Sequence, residues 1–227
     1  MKRLAIAFLV ASFALGTAGA GVVGAQILLV DYVGFDYEYP NPDSSQFGEA
    51  GSGYNGVGEA PGVFAPLVAD PTNNEYTYFI TGLTQTNTQV FGTFLVIDYT
   101  PGTLSLYEDP KSTGTPFNYG TNPPFGTAPS TFTDGAQILT GTLTNFRFVF
   151  NTLNGSGSYE GNFEATGGTQ LGALGTNTKG WTFAGATSNS TAIAEGYYHQ
   201  IDGQVFLDNS PTPAQPTSWG ALKAKYR

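Results

Sequence analysis

The sequence predicts an all-β fold: an antiparallel β-sandwich of jelly-roll type, with a β-barrel as the alternative. Three observations predict it. The chain is rich in Gly, Thr, Tyr and Phe and holds one Met in 227 residues, and β-branched and aromatic side chains suit a half-buried pleated surface. Apolar residues recur at period two, the spacing of one face of a strand, and rarely at helical spacing. Turn residues punctuate the chain at short intervals, as in meandering antiparallel sheets.

Taken in order, residues 27–30 read as a first strand ending at Asp31. Residues 41–62 (NPDSSQFGEAGSGYNGVGEAPG) read as a long loop, dense in Gly, Asn and Ser. Residues 76–80 read as a strand. Residues 89–99 (QVFGTFLVIDY) read as a central strand; the turn Thr100-Pro101-Gly102 and residues 103–107 then complete a hairpin. A second long loop covers 113–131, with Pro116, Pro123, Pro124 and Pro129. Residues 134–167 predict a three-stranded antiparallel meander. In its middle strand Phe146, Phe148 and Phe150 share one face, and Arg147 and Val149 the other. In its last strand Tyr159, Gly161, Phe163 and Ala165 face the core, and Ser158, Glu160, Asn162 and Glu164 face water. Residues 181–184 and 197–207 give the final strands, the latter interrupted at Asp202-Gly203.

Charge divides the chain into address, body and tail. Between Leu4 and Leu222 the only basic residues are Lys111, Arg147 and Lys179, whereas all seventeen acidic residues lie in that stretch. Lys2 and Arg3 precede an uncharged apolar run over 4–15, shorter than the ~20 residues that cross a bilayer, and Ala18-Gly19-Ala20 or Val23-Gly24-Ala25 follows as a cleavage site. Residues 1–25 therefore read as a secretory signal peptide, cleaved after 20 or 25, in preference to an uncleaved anchor helix. The mature chain keeps six basic and seventeen acidic residues, a net charge of −11. Such a surface repels phosphate backbones and anionic lipid, which disfavours nucleic-acid partners. No cysteine is present, so thiol catalysis, thiolate-bound zinc and iron–sulfur clusters are excluded. Nothing after the signal is apolar enough to form a transmembrane helix.

Residues 26–209 read as a single domain, 210–216 (SPTPAQP) as a stiff Pro-rich linker, and 217–227 (TSWGALKAKYR) as a short amphipathic basic tail. Trp219, Leu222 and Tyr226 share one helical face, and Lys223, Lys225 and Arg227 leave the end cationic. This tail, with the phrases Thr131-Phe132-Thr133-Asp134-Gly135, residues 155–168 and Glu195-Gly196-Tyr197-Tyr198-His199-Gln200-Ile201-Asp202-Gly203, resembles exported β-rich bacterial proteins that carry a C-terminal sorting segment. The resemblance implies export to the cell surface or medium, and a sorting role for Trp219, Leu222, Lys223 and Tyr226; it carries no activity or catalytic residue across. A tail packed on its own domain is the alternative.

Residues with chemical potential are few. His199 is the only histidine; without a Gly-x-Ser-x-Gly elbow it reads as a structural or surface strand residue. Asp98, Glu160, Glu164, Glu195 and Asp202 are spare carboxylates of the kind a glycosidase pairs, but no motif selects two of them, so no catalytic residue is assigned. No cofactor is expected, and the clustered acids read first as surface charge; calcium is the alternative that the oxygen-rich segments would suit, with Asp31, Asp36, Glu38 and Asp43 near the start and Asp202, Asp208 and Asn209 near the end. Trp181, Tyr197 and Tyr198 are candidate sugar-stacking residues, although aromatics also build β cores. The expected function is a secreted or cell-surface, non-enzymatic protein with a structural or adhesive role. The alternative is a carbohydrate-binding or carbohydrate-active domain, calcium-stabilised, meeting a cell-surface glycan. Export or sorting machinery would meet the tail.

Overall fold

Nine strands follow one another along the chain: β1 (Ile27–Glu38), β2 (Gly53–Val63), β3 (Asn74–Phe91), β4 (Phe94–Tyr99), β5 (Gly102–Pro110), β6 (Ala136–Asn151), β7 (Ser156–Gly167), β8 (Trp181–Ser188) and β9 (His199–Leu207). The structure, a computed structural model, describes residues 26–40, 48–114, 128–189, 193 and 196–207. A single helical turn (Ala128–Thr131) and a 3-10 turn (Leu171–Leu174) are the only helical pieces among them.

Every pairing is antiparallel, and the sheet closes on itself. β1 pairs with β2 on one side and with β9 on the other; β2 pairs with β3, β6 with β7, β7 with β8 and β8 with β9. The remaining position is shared. β4 pairs with the far end of β3 and with the end of β6, while β5 pairs with the start of both. β4 and β5 thus run in one direction as two halves of a single stave, interrupted at Thr100-Pro101. The result is an eight-stave up-and-down barrel in which sequence neighbours are spatial neighbours. The sandwich is therefore corrected to the barrel, its alternative. Inward–outward alternation is common to both architectures; closure depends on the long-range β1–β9 pairing, which no local pattern encodes.

Other expectations change. β1 runs on through Asp31 to Glu38, and β9 passes Asp202-Gly203 without interruption. Thr100-Pro101-Gly102 is a break within a stave, and the hairpin turn lies at Gly92-Thr93, between β3 and β4. Residues 134–167 form two strands, because β6 runs unbroken through sixteen residues. Part of the predicted loop over 41–62 is strand β2. The predicted faces of β6 and β7 are observed: Phe146, Phe148, Phe150, Tyr159 and Phe163 are buried, and Ser158, Glu160 and Asn162 are exposed.

Aromatic rings fill the barrel. Tyr32, Tyr54, Tyr78, Phe146, Phe183 and Trp181 are each at most 1% exposed. Tyr32 stacks on Phe183 at 5.2 Å, and its hydroxyl donates to that of Tyr159 at 3.0 Å. Eight staves enclose a space just wide enough for side chains, and here glycines adjust it. Gly185 and Gly203 are register partners on β8 and β9; a Cβ at either would collide with the hydroxyl of Tyr159 or Tyr32, respectively. A gap among Leu29, Tyr32, Tyr78, Leu106 and Phe163 measures ≈ 10 Å³, about the room of one water. On β6 and β7 the polar set faces out and the aromatic set faces in. No helix among the described residues is long and apolar enough to cross a membrane.

Candidate functional site

Two places concentrate chemistry. The first is inside one end of the barrel, where β1 and β9 pair. Asp36 and His199 are register partners. The His199 backbone N–H donates to Asp36 Oδ1 at 2.8 Å, and His199 Nδ1 lies 3.0 and 3.1 Å from the two carboxylate oxygens. The side chains are 4% and 0% exposed, and the ring of Phe150 lies 4.7 Å from the imidazole. A carboxylate aligned this way fixes the Nδ1–H tautomer, but this imidazole is walled in by aromatics.

Glu38, two residues along the same face of β1, is 4% exposed and accepts the Gly48 N–H at 2.8 Å. Burial pushes its carboxyl up to about 7; the Gly48 bond opposes that shift, and the neighbouring Asp36 charge adds to it. The Tyr99 phenol is raised too, by burial and then by the charges of Glu38 and Asp36. The hydroxyls of Tyr54 and Tyr99 have no hydrogen-bond partner among the described residues. This end of the barrel is rich in oxygen and negative charge.

The second place is an outer hollow of ≈ 430 Å³ lined by Asp98, Asn145, Arg147 and Glu160. It is shaped by a β-bulge. β6 slips against β7 between Thr144 and Arg147, and Asn145 adopts φ 53°, the only left-handed non-glycine among the described residues. Asn tolerates this conformation better than most residues, and bulges re-aim neighbouring side chains. Arg147 is the register partner of Asp98 on one side and of Glu160 on the other. Its Nε donates to Asp98 Oδ1 at 2.7 Å. That hydrogen bond holds the Asp98 carboxyl below the usual range, so Asp98 is a fixed anion rather than a proton donor. A glycosidase pair needs one carboxyl raised and protonated; a guanidinium wedged between the two works against that. The hollow is lined by hydrogen-bond donors and acceptors.

The sequence candidates are scattered. Trp181 lies inside the barrel, 1% exposed, with its indole N–H donating to the Asn177 carbonyl at 2.7 Å. Tyr197 and Tyr198 are half-buried on the outside of β1 and β2, against a cluster of Tyr37, Val57 and Phe132. The three aromatics therefore form no common platform. Among the calcium candidates, Asp31 faces out and accepts from Gln204, Asp36 faces in toward His199, and Asp202 is exposed on β9 opposite Val33. No group of three or more His, Asp or Glu placed to hold a metal occurs among the described residues. Residues 1–25, Asp43, Glu195, Asp208, Asn209 and the whole linker and tail, with Trp219, Leu222, Lys223 and Tyr226, lie outside the described residues.

Sequence reasoning missed the Asp36–His199 pair and Asn145. The first had a usable signal: Tyr32, Gly34, Asp36 and Glu38 stand at period two, so an inward Tyr32 carries Asp36 inward with it. Asn145 had none, because its role depends on a slip in register. Comparison with protein-family models, curated proteins and solved structures matches this chain to none of them.

Proposed function

We propose that this chain is an exported, non-catalytic β-barrel with a structural or adhesive role. The observation that supports this reading most is the use of the interior. The one imidazole, its carboxylate and the aromatic core are committed to closing the barrel, leaving polar outer faces and hairpin tips for contact. The signal-like N-terminus and acidic, cysteine-free body support export. The test is retention of the mature chain on immobilised peptidoglycan and cell-surface polysaccharides, beside a hydrolysis screen on the same polymers. Retention without turnover is expected; turnover abolished by Asp98→Asn or Glu160→Gln would sink the non-enzymatic reading.

The hollow at Arg147 favours a second reading, carbohydrate binding. Glycan retention lost in Arg147→Ala, with the fold intact, would support it.

A further inference from the structure

The dipeptide Asn-Gly occurs twice in this chain, at Asn55-Gly56 and at Asn154-Gly155. An asparagine amide is open to attack by the backbone nitrogen that follows it, and glycine carries no side chain to shield that nitrogen. The fold treats the two dipeptides in opposite ways. Asn55 lies within β2 and is 5% exposed. Its Nδ2 donates to the carbonyls of Tyr39 and Gly53 at 3.0 Å each, and its Oδ1 accepts the Thr81 hydroxyl at 2.9 Å. Gly56 is held in ladders on both sides, opposite Asp36 and Ile80.

Asn154 is exposed, in the turn between β6 and β7. Its Oδ1 accepts the N–H and the hydroxyl of Ser156, at 3.1 and 2.8 Å, while its NH2 donates to no group among the described residues. The two donors polarise the amide carbonyl and face the negative charge that forms on Oδ1 when a nucleophile adds, as in an oxyanion hole. Gly155 adopts φ 66°. Its N–H donates to the Asn151 carbonyl at 2.9 Å; this bond belongs to a turn beyond the end of the ladder, where opening costs far less than in a sheet interior.

We infer that Asn154 is a site of spontaneous deamidation and isomerisation, assisted by the Ser156 hydroxyl. Base takes the Gly155 amide proton, and the nitrogen adds to Asn154 Cγ. The Cγ–Nδ2 bond then breaks, and Nδ2 leaves as ammonia with a proton from solvent. Water opens the resulting succinimide at either carbonyl, giving aspartate or isoaspartate. One water enters, one ammonia leaves, and nothing is oxidised or reduced. The product adds a negative charge beside Leu153, which is 81% exposed. Isoaspartate also lengthens the backbone in a turn packed on Asn189: the Gly155 carbonyl accepts the Asn189 N–H at 2.7 Å, and the Asn189 side chain occupies the place of a Cβ at Gly155. The same turn is tied to the one between β3 and β4, since Thr152 donates to the Thr93 carbonyl through both its N–H and its hydroxyl. The modification therefore marks one end of the barrel, at a place where two hairpin turns meet.

The test is incubation of the chain in mildly alkaline buffer, folded and in urea, followed by peptide mapping with isoaspartate-specific methyl labelling. In the folded chain Asn154 should lose its amide at least about tenfold faster than Asn55, whose environment is closed by the sheet. In urea the two rates should converge. Ser156→Ala keeps the backbone donor and removes the hydroxyl, so it should slow the reaction several-fold in the folded chain and leave the rate in urea unchanged. Asn154→Gln should remove the folded-state signal, with near-UV circular dichroism unaltered. An amide at Asn154 that persists, equal loss at Asn55 in the folded chain, a folded Ser156→Ala rate equal to the parent's, or a signal that survives Asn154→Gln would each overturn the proposal.

Discussion

Asp36 and His199 stand 163 residues apart in sequence and are joined twice, once through the His199 backbone and once through its ring. The pair lies on β1 and β9, the first and last strands, and so fastens the barrel where it closes. Removing one partner strands the other in a dry interior. Asp36→Ala is expected to cost about 3–5 kcal/mol, whereas replacing both residues by apolar groups of similar volume should cost much less. Urea unfolding of the single and double variants distinguishes the two outcomes; equal destabilisation would show that packing matters and the pairing does not.

Glu38 should make stability fall as pH rises. Its carboxyl is raised from 4.5 to about 7 in the folded state. Between these values the folded chain holds a proton that the unfolded chain has released. The stabilisation is therefore complete below about pH 4.5 and lost by the time pH passes about 7, a swing on the order of 2 kcal/mol. Glu38→Gln keeps an acceptor for the Gly48 N–H and removes the titration. Its urea midpoint should change less between pH 5 and pH 8 than that of the parent; an unchanged slope would place the titration elsewhere.

Gly185→Ala and Gly203→Ala should each destabilise by about 1–3 kcal/mol through overpacking, because a methyl there meets the Tyr159 or Tyr32 hydroxyl. Tyr159→Phe removes one of the two obstructing oxygens, and with it a hydrogen bond to Tyr32, but leaves the Asp202 carbonyl. The Gly185→Ala/Tyr159→Phe double variant should then be less destabilised than the sum of its singles, as a thermal-melt cycle would show.

Trp181 offers an optical check of the core. With Trp219 replaced by Phe, emission should be that of a buried indole, resistant to iodide and unmoved by added oligosaccharide. Trp181→Ala should cost about 3–5 kcal/mol. Ready quenching, or a spectral shift with sugar, would put the indole at the surface.

Much of this fold is legible as alternation. The two faces of β7, the inward phenylalanines of β6 and the outward Arg147 all follow from side-chain parity, whereas its pairing with Asp98 follows from the β4–β6 register. β2 was hidden by its glycines, which lower strand propensity. The structure shows their use: a Cβ at Gly56 would press on Ile80 and Ile201, and one at Gly58 on the Tyr78 ring. Closure was hidden because β1 meets β9 only across nearly the whole described chain. The hollow at Arg147 was hidden because Asn145 reads as an ordinary polar residue until the register slips.

The meandering order also gives the barrel the logic of a buckled belt. Each ladder but one joins staves that follow one another along the chain, so a cut in a surface turn leaves the belt fastened. The β1–β9 ladder is the buckle. Without β9, both β1 and β8 become bare edges, and strangers could pair with either.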